Sequence, residues 1–561
     1  MADNVGIPCP NGASLHDIII VGAGPCGLAV AARLREQSPA AIFTDEEHRR
    51  FHWIRRHGKQ MALKHVKNGR VSFASDSTQH EYNMVVLDAD HDNWMGRWNH
   101  LFSAFDIKHL RSPMFWHVDP HDRDSLLSKA YEQGRENELM EIRGCVGKEV
   151  SKHMKKKRSK YIGGKGDSRV PINERDRNDY FNPPQTLFCD HCSEVVGRYG
   201  LQAEGLVRKE RVLDISFGVV PGISSAGEKL FTLQTDKGIR YSQVVVLAVG
   251  PGNQPCIPHV PGDLKLDTQQ TIPQACHAMR IRQFPDEIVK RRIAAGRKTN
   301  VLIVGGGLTS AQLADLAIRK GVGRVWLVMR GPLRVKPFDV DLVWMGKFRN
   351  VEQSRFWQAD SDEERLALLK QARGGGSITP HYSRILKQHV ASGKLRLLEH
   401  TTLADARFEA GDEGGRTGGQ GVWRVKTEPE VECLPAMDYI YFATGVETNF
   451  RTLPYLQSML KSHPIDGYGG FPCLNDELMW TDEVPLFVAG RLAALRLGPS
   501  APNLGGARLA AERIAWGIEE VMRKAGGLDQ GGGRRDRAEK ELLGYVTGSG
   551  GMFASLSEVS S

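Results

Sequence analysis

Two glycine-rich turns carry the chemistry that can be read directly from this chain. The first is Asp17-Ile-Ile-Ile-Val-Gly-Ala-Gly-Pro-Cys-Gly27, and the second is Asn300-Val-Leu-Ile-Val-Gly-Gly-Gly-Leu-Thr-Ser310. In the first, Gly22 permits a tight turn after a strand, and Gly24 lets the backbone approach a pyrophosphate. Gly27 lets the following helix pack on that strand. The N–H groups at the helix start, with the helix dipole, hold phosphate charge. One such turn is a weak signal. Two of them, each between an apolar run and a helical stretch, predict two dinucleotides on one chain. That is the arrangement of a flavin fed by a nicotinamide, with FAD at the first turn and NADPH at the second.

The elements around the turns refine this reading. Residues 18–21 predict a buried parallel strand and 25 to about 37 a helix. A second strand over 40–44 ends in Asp45-Glu46-Glu47. An acid at that strand end is where a ribose hydroxyl is bound, which nominates Glu46 and, beside it, Asp45. At the second turn Gly305 and Gly307 repeat the first two glycine roles, and Ser310 takes the third, where a small residue is tolerated. A helix over 308–320 and a strand over 324–329 follow. The strand ends in Arg330 instead of an acid, with Arg334 and Lys336 just beyond. A cation there suits a ribose 2′-phosphate that an acid would repel, so NADPH is expected over NADH.

Three further apolar strands close on glycine: 241–250, 438–446 with Gly445, and 484–490 with Gly490. A short β-meander around 214–217 and 231–235 precedes the first of them. A hairpin flanking the glycine-rich stretch 411–421 precedes the second. After Gly490 comes a Pro/Gly-rich entry and an alanine-rich helix over about 507–524. The expected fold is α/β, with two Rossmann-like dinucleotide-binding domains in a glutathione-reductase-like arrangement. The NADPH domain (297–430) is inserted between the two parts of the FAD domain (15–290 and 435–525). Residues 1–14 and 526–561 are expected as tails, the latter mobile.

The double fingerprint and the strand-to-glycine elements resemble the flavin-dependent monooxygenases with two dinucleotide-binding domains. That group includes the flavin-containing, Baeyer–Villiger and lysine/ornithine N-hydroxylating enzymes. The chain is most similar to the N-hydroxylase-like branch, at His109-Leu-Arg-Ser-Pro113, Pro184-Gln-Thr-Leu-Phe-Cys-Asp190 and Leu497-Gly-Pro-Ser-Ala-Pro-Asn-Leu504. The resemblance covers roughly residues 15–525, and only the two nucleotide turns are highly specific. There are departures. No Phe-x-Gly-x-x-x-His-x-x-x-Trp run is present, and the Lys-Asp-Leu segment of many lysine/ornithine hydroxylases is replaced by Lys108-His-Leu-Arg111. The substrate is therefore not inherited.

The resemblance implies that NADPH reduces the flavin. The flavin then activates O2 as a C4a-hydroperoxide and passes one oxygen atom to a small-molecule substrate, N-hydroxylation in secondary metabolism being one form. It also implies that the C-terminal helix points its N-terminus at the pyrimidine edge of the flavin, where its dipole favours negative charge. His109, Arg111 and Asn503 are candidate flavin-proximal polar groups. No side chain is assigned as a catalytic acid or base.

Other features compete with this reading. Cys189-Asp-His-Cys192 has redox spacing, and with a flavin and NADPH it suggests a thiol–disulfide oxidoreductase. The pair lies more than a hundred residues upstream of the second turn, whereas small thioredoxin reductases carry theirs close to it. A zinc site needs further paired ligands, which the sequence does not offer. The basic run 148–160, containing Lys155-Lys-Lys-Arg158, reads as a nuclear-localisation or nucleic-acid patch or as an exposed loop; with no accompanying motif, the loop is preferred and no nucleic-acid partner is expected. A non-catalytic FAD-binding regulator is a further alternative, but it has little need of an intact second turn with Arg330.

The length of 561 residues implies two or three domains, and the net charge of +9 is modest for that length. Nine scattered cysteines suggest free thiols in a reducing compartment. The first 14 residues lack the apolar core of a signal peptide, and no run approaches the roughly 18 apolar residues of a membrane span. A cytoplasmic enzyme with no membrane partner is expected.

Overall fold

The computed structural model describes residues 15–36, 62–64, 71–73, 81–142, 145–147, 172–225, 227–250, 252, 255–264, 272–346, 349–410 and 421–525. The expected strand 40–44, with Asp45 and Glu46, lies outside them. So do the basic run 148–160, most of the glycine-rich stretch at 411–420 and both tails.

The first sheet is built on β1 (Leu15–Val21), where Ile18, Ile19 and Ile20 are all fully buried. Such an unalternating apolar run belongs to a parallel strand covered on both faces. Parallel to it on one flank runs β2 (Met84–Asp88), followed by β3 (Val207–Lys209). The antiparallel meander β4 (Val212–Val219), β5 (Lys229–Thr235) and β6 (Gly238–Leu247) brings β6 parallel to β1 on the other flank. Both edges of β1 are thereby paired, Val21 standing beside Leu87 and Leu247.

The second sheet is parallel throughout. Its order is β7 (Ala275–His277), the late strand Tyr439–Phe442, β8 (Asn300–Val304), β9 (Arg324–Val328) and β10 (Leu395–Leu398). The helices α3 (Leu308–Arg319) and α5 (Pro380–Ala391) cover one face through Ala311, Leu313, Ala314 and Leu386. On the other face lies the hairpin of β11 (Thr402–Glu409) and β12 (Val422–Glu428), which packs Ala406 and Trp423 against Leu302 and Trp326.

After β13 (Tyr439–Phe442) the chain returns to the first sheet. There β14 (Met479–Thr481) pairs with β15 (Val484–Val488), and β15 runs parallel to the end of β6. The second domain is thus inserted in the first, as expected. The chain closes with α6 (Leu504–Ala525), which lies along α1 (Pro25–Arg35). Leu28 to Ala32 of α1 are all fully buried, and the small Ala507, Ala510 and Ala511 of α6 join them in one core, so the two helices approach closely. Arg33 and Glu512 tie them with two bonds of 2.7 and 2.9 Å.

Two boundaries differ from expectation. The second sheet already begins at β7, ahead of residue 297. Residues 338–372, within the inserted span, send Phe338, Val340, Met345, Phe356, Leu368, Leu369 and Ala372 into the core of the first domain. The physical reason is that the second sheet has no face left: helices take one and the hairpin the other.

Candidate functional site: a crevice between two glycine turns

The first turn leaves β1 at Gly22, whose φ of +111° is the glycine region and whose Cβ would lie 2.5 Å from the Ala248 carbonyl oxygen. A Cβ at Gly27 would lie 2.0 Å from the Gly22 carbonyl oxygen, so the turn closes only on glycine. Gly24 is different. A Cβ there meets nothing within 4 Å, and Gly24 caps α1 without any side-chain hydrogen bond. With Pro25 next and no acid in the first turn of α1, the amides at this helix start face open space. That is a cradle for an anion.

The turn is braced by a residue that the sequence pattern missed. Asp88, at the end of β2, accepts the Ala23 amide at 3.0 Å, while the Met95 amide donates to the Ala23 carbonyl at 2.8 Å. Asp88 therefore sits at the end of the strand beside β1, the place where a ribose-binding acid stands in this kind of domain. Its signal was an apolar run closing on Asp, but far beyond the usual spacing. Gly490 approaches the same turn from β15: its Cβ would lie 3.1 Å from the Cys26 sulfur. Burial pushes the Cys26 thiol up to about 12, so it brings no negative charge to the cradle.

The second turn repeats this geometry. Gly305 has φ +146°, and its Cβ would lie 2.3 Å from the Ala443 carbonyl oxygen at the end of β13. A Cβ at Gly307 meets nothing within 4 Å, and Gly307 caps α3 without a side-chain bond. Ser310 is buried, and its hydroxyl donates to the Gly307 carbonyl at 2.7 Å, so it braces its own turn. Gly445 follows β13 at the same edge, its carbonyl accepting the Cys256 amide. Arg330 is exposed at the end of β9, with no hydrogen bond or ion pair among the described residues. Arg334 and Lys336 are committed instead to the carbonyls of Gly374 and Arg373.

Between the turns lies a polar junction. The helix α4 (Asp362–Arg373) starts on Ser361, whose hydroxyl accepts the Glu364 amide, and stops on left-handed Gly374. This stop fixes Arg373 and lays the next loop on the second turn, where a Cβ at Gly376 would lie 3.2 Å from the Gly307 Cα. Arg373 donates to Asp339 at 2.8 Å, to Asn503 at 3.2 Å and to the Pro499 carbonyl at 2.8 Å. Asn503, which precedes α6, donates to the other Asp339 oxygen at 2.8 Å. Burial alone would raise the Asp339 carboxyl, but Arg373, Arg111 and Asn503 hold it below the usual carboxylate range.

Arg111 spends its donors on Lys336, Pro337 and Ser377, clamping its loop to the inserted domain. His109 is turned away, toward the Glu138 carbonyl at 2.9 Å. The structure therefore brings Arg111 and Asn503 together and leaves His109 outside. Asp339, Arg373 and Arg491 complete the junction. Sequence reasoning could not collect them, because nothing local links residues from such distant segments.

Cys189 and Cys192 lie on α2 (Gln185–Arg198), as their helical spacing predicts. Both thiols are free, and burial pushes both above the ordinary thiol value, Cys192 well above it. A redox thiol needs the opposite shift. A cavity of about 1100 Å³ lined by Trp357, Arg513 and Trp516 lies elsewhere, where β15 begins and along the far half of α6. Both glycine turns follow the opposite, C-terminal strand ends, where open α/β sheets bind ligands. Among the described residues, no three His, Cys, Asp or Glu side chains are placed to hold a metal.

No family model and no curated protein sequence matches the chain. Solved structures do. The chain is similar to an ornithine N-hydroxylase from Kutzneria sp. 744, solved with reduced FAD, NADP+ and L-ornithine: 15% identity, TM-score 0.55, covering 91% of this chain and 100% of that one. It is similar to the ornithine hydroxylase of Pseudomonas aeruginosa at 16% identity and TM-score 0.54, covering 91% and 100%. An FAD-bound cadaverine monooxygenase from Erwinia amylovora gives 14% identity and TM-score 0.53, covering 90% and 95%. The chain has the fold of these two-dinucleotide flavoproteins.

Proposed function

We propose that this protein is an FAD- and NADPH-dependent monooxygenase that transfers one oxygen atom from O2 to a small-molecule substrate, with N-hydroxylation as the favoured form. The observation that carries the proposal is the pair of cradles, Gly24 and Gly307, each open where a dinucleotide phosphate must lie. The fit is specific. Each turn closes only on glycine at Gly22 and Gly305, and each leaves a helix start without a side-chain cap. Two of the similar structures hold FAD, and all three are named for ornithine or cadaverine, which favours an amine nitrogen as the oxidised atom.

When bound, the flavin supplies the hydride acceptor and the O2 chemistry. The chain supplies position. The Gly24 turn, braced by Asp88, holds the FAD pyrophosphate, and the Gly307 turn holds that of NADPH. Arg111 and Arg373 fix the inserted domain against the first, keeping the two cradles at one separation. The start of α6 directs its dipole into the crevice. Eight free cysteines among the described residues accord with a cytoplasmic site of action, and no described helix is long and apolar enough to cross a membrane.

The guanidinium of Arg330, without a partner among the described residues, gives the nicotinamide preference its test. Loss of one charge-assisted contact costs about 1.5–3 kcal/mol, roughly tenfold to more than a hundredfold in affinity. Arg330→Ala raises the KM for NADPH by that factor and leaves the KM for NADH nearly unchanged. An equal rise for both assigns the residue to loop positioning.

The second reading, thiol–disulfide exchange, is tested against the proposal in one variant. Cys189→Ser/Cys192→Ser retains NADPH-driven O2 consumption, measured by oxygen electrode, to within about twofold, apart from a stability loss from the buried Cys192 and the half-buried Cys189. If wild-type protein consumes no O2 with NADPH, and the variant loses turnover of a disulfide substrate, the monooxygenase assignment fails.

A further inference from the structure

Arg491 follows Gly490 directly, at the end of β15, where the backbone comes against Cys26 in the first turn of α1. Its guanidinium makes one hydrogen bond, to the Thr448 hydroxyl at 3.3 Å, and its Nε and Nη2 donate to no described residue. These donors are not sealed from solvent, so an incoming anion can reach them and gain charge-assisted bonds to a partly desolvated guanidinium. Among the described residues no carboxylate is free for that role. Asp339 is the acid in its electrostatic surroundings, and Asp339 is already bound by Arg373 and Asn503. Three guanidiniums, Arg111, Arg373 and Arg491, thus share the field of one carboxylate. Arg111 and Arg373 are committed to protein acceptors, which leaves the surplus charge on Arg491. Burial and the facing Arg373 hold its pKa below the usual arginine value, so the charge is waiting for a partner.

We infer that Arg491 is the charge partner of the dinucleotide at the first turn, donating to a phosphate oxygen that the amides of the α1 start hold from the other side. The inference rests on FAD occupying the Gly24 cradle. It adds a cation to a cradle otherwise made of backbone, because α1 contributes no charged side chain in its first turn. An oxyanion on the substrate or the phosphates of the second dinucleotide offer the same chemistry, and the experiment separates these sources from FAD.

Apo-protein is titrated with FAD, following flavin fluorescence, at low and high salt. Arg491→Gln raises the Kd for FAD by about 10- to 100-fold and flattens its salt dependence, because the lost contact is the screened one. Arg491→Lys, which keeps the charge and loses the planar fork, recovers part of the affinity. The melting temperature of the apo-variants does not fall below the wild-type value, since among the described residues Arg491 is bound only to Thr448. An unchanged FAD Kd in Arg491→Gln overturns the inference. So does a loss confined to NADP+ affinity, which places the anion on the second dinucleotide, or a fall in apo-protein melting temperature with FAD affinity intact. Gly24→Val is titrated alongside. If it binds FAD like the wild type, the failure belongs to the cradle assignment. If it loses FAD while Arg491→Gln does not, the failure belongs to Arg491 alone.

Discussion

Gly24→Val is expected to yield a folded protein that purifies without flavin. A Cβ at this position meets nothing within 4 Å, so the protein itself accommodates the larger side chain. The space it fills is the one a phosphate needs to reach the amides at the start of α1. Losing two charge-assisted contacts there costs about 3–6 kcal/mol, or roughly a hundredfold to more than ten-thousandfold in affinity. The visible flavin absorbance of the purified variant, read against a circular dichroism spectrum that matches the wild type, measures this directly. The contrast with Gly27 is informative. A Cβ there lies 2.0 Å from the Gly22 carbonyl oxygen, so Gly27→Ala damages the turn itself and cannot separate binding from folding. Full flavin content in Gly24→Val removes the assignment of this turn.

Gly307→Val is the complementary experiment. The Gly307 position is equally open, and α3 is equally uncapped, so the same steric argument applies at the second turn. The variant keeps its flavin and loses reduction by NADPH, with the apparent Kd for NADPH rising about a hundredfold or more by the same arithmetic. Anaerobic stopped-flow mixing with NADPH reports the loss as slow bleaching of the flavin, while dithionite still reduces it fully. Together the two variants dissociate the two cradles. If Gly307→Val is reduced by NADPH at the wild-type rate, the second turn is not the nicotinamide site.

Both glycine turns were legible in the sequence because their requirements are local. Gly22, Gly24 and Gly27 answer to one turn, one approach and one helix–strand contact, and each lies within a few residues of the next. The insertion of one domain in the other was legible for a similar reason, since the strand-to-glycine elements flag where the chain leaves and returns. Asp88 was hidden by distance. The spacing rule looks for an acid shortly after the first helix, whereas the strand beside β1 arrives only at Met84. The junction around Asn503, a residue the sequence did nominate, was hidden more deeply in its other members, Asp339, Arg373 and Arg491. Its members come from a loop, a helix end, a strand end and a helix start, and only the packing of two sheets brings them together. Arg111 was nominated as a flavin neighbour from its place in a motif. The geometry shows a clamp whose donors end on backbone carbonyls and the Ser377 hydroxyl of the inserted domain.

The excursion of residues 338–372 into the first domain has a consequence for how this molecule comes apart. Phe338, Phe356, Leu368 and Leu369 belong in sequence to one lobe and in space to the other's core. A fragment containing only the inserted lobe would carry these side chains into water, and the remaining lobe would be left with a gap where they had been. Neither lobe is a self-sufficient folding unit in the sense that a bead on a string is. Unfolding of the two lobes by heat or denaturant is expected to be coupled, because loss of grip by either withdraws support from the other.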